Sequence, residues 1–349
     1  MDVRLSPEQV ALRDSVAQVV ERMGPRTVAQ IDDLERREKL DATVAASGWR
    51  ELRTPVDGTA PLASGVEVGI VAEELGRGLA DAAFVGPTLA AELRRLAGAP
   101  AATSSETVLL RAGLGAIAIA PDGVAGGAAI DARGADAALV LRAVGPGYEL
   151  ASVALTPAAE PVDLTRPSAV PVPAAPAAPV ADQQRALTAE DVDRWTALAL
   201  ATSCADLVGT MRGAVELSCE YAGAREQYGA AIGSFQAVQH LLADAFVSME
   251  GSRSATLHAT WAVDALDPAA AVAAGAVAKA YSARAALAVC ETAIQVHGGI
   301  GNTWECLAHV HLRRALLSID VLGGVGPSLQ RVLAHHGIGP DEGAHDGLR

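Results

Sequence analysis

Positive charge is scarce in this sequence. Its 27 Lys and Arg, nearly all Arg, stand against 41 Asp and Glu, giving a formal net charge of -14 over 349 residues. A nucleic-acid surface needs a basic footprint to neutralise phosphates, so that class of partner is excluded. Cysteine is scarce too. Cys204, Cys219, Cys290 and Cys306 form no C-x-x-C pair and fall in helical patterns. That argues against a disulfide framework or a zinc site and for reduced, buried thiols in a cytoplasmic protein. The opening "MDVRLSPEQVALRDSV" is amphipathic and charged, without the apolar stretch of a secretion signal. No long uncharged hydrophobic run occurs either. The nearest approach to a membrane span, residues 268–289, is interrupted by Gly275, Lys279, Tyr281, Ser282 and Arg284, so a buried helix is expected there and no membrane span. There is no internal repeat.

What is present is apolar material. Half of the residues are hydrophobic and only 19% are charged, enough for large cores in two or three domains. Residues 1–102 read as helices. Ser6 is the N-cap of the first, with Pro7 at its first position and Glu8 in its first turn. Further helices are expected from about Asp32 to Ser47, over "VEVGIVAEELGRGL" and over "VGPTLAAELRRLAG". Residues 103–183 change texture. Short apolar runs such as "ETVLLRAG" and "ADAALVLRAVG" alternate with Gly, Pro and Asp, the signature of strands in a small sheet or barrel. The stretch "RPSAVPVPAAPAAPVADQQ" reads as an extended Pro/Ala linker.

Over residues 184–349 long helices return. Thr188 and Asp191 make a capping-box start to a helix reaching about Gly223. Ser234 is the expected cap of a second, whose stripe Phe235, Val238, Leu241, Leu242, Ala245, Phe246 and Met249 reads as core. Asp267-Pro268 opens a third that ends at Gly298-Gly299. Asn302 and Glu305 open a fourth that ends at Gly323. The fold class expected is α+β, mainly helical: an N-terminal helical domain, a reduced middle β domain and a C-terminal four-helix bundle.

Two segments stand above this background, "AREQYGAAIGSFQAVQHLLADAF" at 224–246 and "ETAIQVHGGIGNTWECLAHVHLRRA" at 291–315. Read singly, their residues have structural explanations. Arg225 with Glu226 makes an exposed ion pair, Gly298-Gly299 a helix C-cap, His297 a hydrogen-bonded structural residue, and Glu305 a helix cap. Taken together, and with "SGVEVGIVAEELGRGLADAAFVGPTL" near the N-terminus, the chain resembles the acyl-CoA dehydrogenases, over most of residues 6–100 and 188–335. The resemblance implies FAD, held across a subunit interface by the bundle of one chain against the flavin of its neighbour. Arg225 would meet the diphosphate, since its planar fork suits two anionic oxygens. Gln227 and Tyr228 would line the same strip and Gln236 would contact the nucleotide end. Gln295 and the backbone at Gly298 and Gly299 would complete the cradle.

The family's reaction needs a carboxylate to take the α-proton of an acyl thioester. Its commoner place in the family falls on Leu322-Gly323 here, and the other falls on Ala199. Neither Leu nor Ala can accept a proton, and the nearby acids Asp320, Asp193 and Glu190 are displaced from those places. Residues 103–180 also hold no Trp and none of the family's usual ring-cradling stretches. No catalytic residue is therefore assigned to this chain. It resembles the short, base-lacking subunit of actinobacterial α2β2 acyl-CoA dehydrogenases. That implies a second dehydrogenase-like subunit carrying the base, an acyl-CoA substrate that is bulky or sterol-derived, and a shared FAD. The alternatives are a self-sufficient homotetrameric enzyme with an unusual acid, and a flavin-free structural paralogue.

Overall fold

The computed structural model describes residues 4–56, 60–158 and 161–339. It opens with α1 (Pro7–Met23), whose cap is a full box: Ser6 Oγ accepts the Gln9 N–H and the Gln9 side chain accepts the Ser6 N–H. A short 3-10 turn leads into α2 (Leu34–Ala46), followed by α3 (Gly65–Arg77) and α4 (Val85–Ala97). α3 starts on a second capping box, from Ser64 and Glu67. α4 has no cap of its own, because Phe84 stands where a cap would be. Asp131, far along the chain, does this work: its Oδ2 accepts the N–H groups of Phe84 and Val85 at 2.7 and 2.8 Å. A carboxylate at that end also meets the positive pole of the helix.

Seven strands follow: β1 (Glu106–Leu110), β2 (Ile119–Ala120), β3 (Ala128–Ala129), β4 (Ala137–Val144), β5 (Gly147–Pro157), β6 (Ala169–Pro171) and β7 (Ala178–Pro179). Their pairing runs β4-β1-β3-β6-β5 and returns from β5 to β4, so five of them close into a small barrel. The longest ladder is the β4–β5 hairpin, in register from Ala137 opposite Ala154 to Val144 opposite Gly147. Leu109, Ala138, Val140, Ala151 and Val153 form one cluster within the β region. Their neighbours Val108, Leu110, Leu139, Leu141 and Leu150 belong instead to the core shared with the helices. That alternation is the two-residue period of a strand with a buried face on each side. The Pro/Ala stretch is not a free linker, since β6 and β7 within it pair with β5. Pro171 and Pro179 are the last residues of these two short strands.

The C-terminal region is built on α5 (Ala189–Ala224), a 36-residue helix opening on the expected Thr188–Asp191 box. A hairpin of β8 (Glu226–Gln227) and β9 (Ala230–Ala231) leads to α6 (Gln236–Ala265), then α7 (Pro268–His297), α8 (Ala308–Asp320) and α9 (Val325–His335). Several boundaries differ from those expected. Ser234 does not cap α6, because its hydroxyl turns back to the Ala231 carbonyl. Asn302 and Glu305 do not open the fourth helix: residues 298–302 form a 3-10 turn and α8 begins at Ala308. α8 ends at Asp320 rather than Gly323, and a fifth helix, α9, packs on α7. Cys306 lies in the loop before α8, and Cys219 is exposed while the other three cysteines are buried.

α7 alone among the described residues is long and apolar enough to cross a membrane, and 67% of its most apolar window is buried inside the structure. The α6 stripe is only half core. Ala245 and Met249 are buried, while Phe235, Leu241 and Phe246 face solvent. α5 and α3 cross closely at two glycines. A Cβ on Gly209 would lie 2.0 Å from the Glu73 carbonyl oxygen, and one on Gly213 would lie 2.1 Å from that of Arg77.

Gly209→Ala is therefore expected to lower stability by about 1–3 kcal/mol through overpacking. Gly223→Ala on the same helix meets no neighbour within 4 Å. It is expected to be neutral or to gain up to about 1 kcal/mol. The shift of the urea midpoint for the two variants checks the pair.

Candidate functional site

All seven residues expected to form a binding strip lie at one end of the bundle. α5 ends at Arg225, which is its C-cap. The β8–β9 hairpin turns through Tyr228 and Gly229, with φ of +52° and +78°. Two consecutive positive φ values are what a two-residue hairpin turn of the right twist requires, and Gly229 takes one without penalty. The turn leaves Tyr228 97% exposed, edge-on to Phe235 with ring centroids 6.3 Å apart. Gln236 is the first residue of α6 and is exposed, as are Arg225 and Gln227. α7 ends beside α5, where His297 stacks on Tyr221 at 4.4 Å. Gln295, Gly298 and Gly299 lie on that end and face solvent.

Local chemistry separates these residues. The Arg225–Glu226 ion pair does not form, and Arg225 makes no salt bridge among the described residues; Gln227 Nε2 bonds the adjacent Glu226 carbonyl. Gly298 is a helix C-cap, with φ +64° and its N–H taken by the Ile294 and Gln295 carbonyls. It offers a ligand an open face and not a donor: a Cβ on Gly298 or Gly299 would meet nothing within 4 Å. His297 is structural, with Nδ1 bonded to the Ala293 carbonyl at 2.7 Å.

The second place of interest is the junction of α8, the barrel and α5. Leu322 is 1% exposed and belongs to the main core. Its φ is +63°, unusual for a residue with a bulky side chain. The conformation is held from both sides. The Leu322 N–H donates to the Leu114 carbonyl at 2.7 Å, and its own carbonyl accepts from Arg331, which also reaches Gly115. Ala199 is fully buried. Asp320, Asp193 and Glu190 are exposed, and Glu190 pairs with Arg194.

Between these elements runs a buried charged network that sequence reasoning missed. Asp206 on α5 accepts from Arg314 at 2.6 Å, from Ser318 at 3.0 Å and from Arg166 at 3.0 Å. Arg166 also pairs with Asp163, and Arg314 reaches the Ala80 carbonyl and Thr165. Burial works to raise the Asp206 carboxyl, but the two guanidiniums outweigh it and hold the group below its ordinary value. Lys279 is buried nearby, bonded to Ser203 Oγ and the Ser318 carbonyl. Loss of hydration pushes its ammonium down to about 8. The remaining gap, lined by Asp131, Arg166, Ser203 and Ser318, is about 20 Å³, room for one water.

Comparison with known proteins bears on both places. Residues 199–329 match the family model described as acyl-CoA dehydrogenase, C-terminal domain. The chain is 31% identical over 344 residues to acyl-CoA dehydrogenase IpdE2 of Mycobacterium tuberculosis, covering 93% of this chain and 96% of that one. The chain belongs to the acyl-CoA dehydrogenase family. A second relative, FadE34 of Mycobacterium tuberculosis, is 41% identical over 142 residues, but the match spans only 20% of its length. Among solved structures, the Tcur3481-Tcur3483 steroid ACAD superposes with a TM-score of 0.77 at 24% identity, covering 95% of this chain and 98% of that one. The ChsE4-ChsE5 complex of Mycobacterium tuberculosis gives 0.77 at 23%, covering 97% and 100%. Those identities speak for the fold: mainly helical, with a small strand region, as expected.

Within this family member the Asp206 network joins three parts of the chain. Asp206→Ala leaves two buried guanidiniums without their shared partner and is expected to cost about 3–5 kcal/mol, read from chemical unfolding. A separate pH effect comes from His311. Burial, with Arg314 beside it, pushes this imidazole down to about 3 from 6.5. Above pH 6.5 both states hold it neutral and its contribution is complete. As pH falls from 6.5 toward 3, only the unfolded chain takes up the proton. Stability should fall over that window by up to about 1.4 kcal/mol per pH unit from this residue. His311→Gln should flatten the slope, measured by unfolding at a series of pH values.

Proposed function

We propose that this chain is the base-lacking subunit of a heteromeric, flavin-dependent acyl-CoA dehydrogenase that desaturates a bulky acyl-CoA thioester. The observation that carries the reading is Leu322. At the place the family resemblance gives to the catalytic carboxylate stands an apolar side chain, buried in the main core, with both backbone polar groups tied to neighbouring segments. No small rotation brings an acid there. Asp320 is the nearest in sequence and faces solvent at the end of α8.

The residues at the other place fit the anionic end of FAD. Arg225 is exposed and without a salt bridge among the described residues, Gly298 and Gly299 leave open space for close approach, and Gln227, Gln236 and Gln295 stand exposed around them. Bound flavin supplies the acceptor for the hydride leaving the β-carbon. On this reading the present chain contributes orientation and charge. Arg225 would hold the diphosphate, and Gln227, Gln236 and Gln295 would bond polar atoms of the nucleotide. Every one of these groups lies on an outer surface, so such a site needs a second polypeptide to enclose it.

Exposed apolar surface on the bundle supports such a partner. Tyr228, Phe235, Leu241, Phe246 and Val247 lie open on the hairpin and α6. An apolar groove of about 580 Å³ between α6, α7 and α9 is lined by Val277, Tyr281 and Leu329. Patches of this kind mark interaction sites more often than free surface. The steroid substrate class and the two-chain assembly are supported by the two structural neighbours, one a steroid ACAD and one a two-protein complex. A cytoplasmic location fits the reduced thiols.

Expression alone should give a colourless chain without dehydrogenase activity. Co-expression with a family member that carries the carboxylate should give a yellow, active complex. Flavin and turnover in the lone chain would overturn the heteromer in favour of a self-sufficient enzyme, and a complex that never takes up flavin would favour a structural paralogue. In the complex, Arg225→Ala should weaken flavin binding about tenfold or more, the equivalent of ~1.5–3 kcal/mol of charge-assisted hydrogen bonding. Unchanged flavin content on dilution would remove Arg225 from the site.

A further inference from the structure

Two arginines without a carboxylate partner converge on the loop that leaves β1. The loop is a tight turn. The Arg111 N–H donates to the Ala116 carbonyl at 2.9 Å, and the Leu114 N–H donates to the Arg111 carbonyl at 2.8 Å. Gly113 and Leu114 close it with φ of +77° and +57°. The turn brings Gly115 against α9, where Arg331 Nη2 donates to its carbonyl at 3.0 Å. Arg331 Nη1 donates to the Leu322 carbonyl at 2.6 Å. The Arg111 guanidinium folds over the same glycine. Its Nη2 and Nε lie 3.5 and 3.7 Å from where a Gly115 Cβ would be. Neither arginine makes a salt bridge among the described residues, whereas Arg94 and Arg142 nearby on the chain are neutralised by Glu106 and Glu149. Asp320, at the end of α8, faces solvent and makes no ion pair among the described residues either.

We infer that Arg111 and Arg331 form an anion site that binds a phosphate group, either the free ion or a small ester. Two cationic forks at one point suit a dianion. A phosphate has enough oxygens to accept from both at once, whereas a single fork already saturates the two oxygens of a carboxylate. Arg331 gives one N–H to each of its two carbonyls and keeps its others free. The Arg111 side chain is exposed, and all of its N–H groups are open to a ligand.

The electrostatics favour an occupant. Burial and the charge of Arg111 both hold the half-buried Arg331 guanidinium below its ordinary value. A bound dianion offsets both costs. The mount is also rigid on one side. The Leu322 N–H is tied to the Leu114 carbonyl, so the two carbonyls that hold Arg331 are themselves fixed to each other. Little ordering of Arg331 remains to be done on binding. A phosphate held there joins the barrel loop to α9, which otherwise meet at this point through neutral carbonyls. The site does not rest on the flavin reading, since both arginines lie outside the strip that contains Arg225.

The test is calorimetric titration of the full chain carrying Arg225→Ala with inorganic phosphate. Ionic strength is held constant with sodium chloride, so that screening does not change. Arg225→Ala removes the one other arginine assigned above to a phosphate, which keeps this result separate from the fate of the flavin reading. One saturable site per chain is expected. Adding Arg111→Gln should weaken it about tenfold or more, and Arg111→Lys should recover part of the loss. Neither change should alter the circular dichroism, because the Arg111 side chain holds no other group in place. Glycerol 3-phosphate separates the two sources: its binding assigns the site to esters, and binding of inorganic phosphate alone assigns it to the free ion. No saturable heat with either, an affinity unchanged by Arg111→Gln, or equal binding of acetate would overturn the assignment.

Discussion

Asp206 sits near the middle of the longest helix, with both carboxylate oxygens engaged and no access to water. The two guanidiniums that bind it come from different parts of the chain, Arg166 from the segment after β5 and Arg314 from α8. Arg314 continues to the carbonyl of Ala80, just past α3. One buried anion thereby fixes the N-terminal helices, the barrel and the bundle relative to each other. A buried charge is costly unless its partners are in place, so the three parts have little freedom to assemble in another arrangement. The close approach of α5 to α3 at Gly209 and Gly213 depends on the same docking. So does the conformation of Leu322, which is set by a bond from the barrel loop at Leu114.

This rigid junction contrasts with the end of the bundle. There Arg225, Tyr228, Gln236 and Gly298 stand on helix termini and a tight hairpin, held in position by backbone bonds yet facing outward. The chain thus encloses Leu322 and presents the polar groups of the strip to solvent. The proposal of a base-lacking subunit rests on that division.

Much of this was legible in the sequence. Ser6, Ser64 and Thr188 announce helix starts through contacts with residues two or three positions on, and Pro268 marks another. The two long motifs pointed to the family, and the seven residues singled out in them lie at one end of the bundle. Where sequence reasoning failed, the competing partner was distant or the alternative was equally local. Ser234 looked like a cap but had the Ala231 carbonyl within reach. α4 had no visible cap because Asp131 supplies it across the fold. The proline-rich stretch read as a linker because a strand whose partners come from elsewhere carries no periodic signal of its own. The α6 stripe has the spacing of a core helix, but spacing does not tell whether its apolar face meets the same chain.

The sequence by itself determined the helices, the change to strands in the middle, and the absence of an acid at positions 199 and 322. Each of these is a property of nearest neighbours or of residue identity. Only the tertiary structure decided that Asp206 is shared by two arginines and that Leu322 is locked rather than merely apolar. Those depend on contacts between residues far apart in the chain. Such contacts form only when the cores have brought the segments together, and nothing in local spacing encodes them.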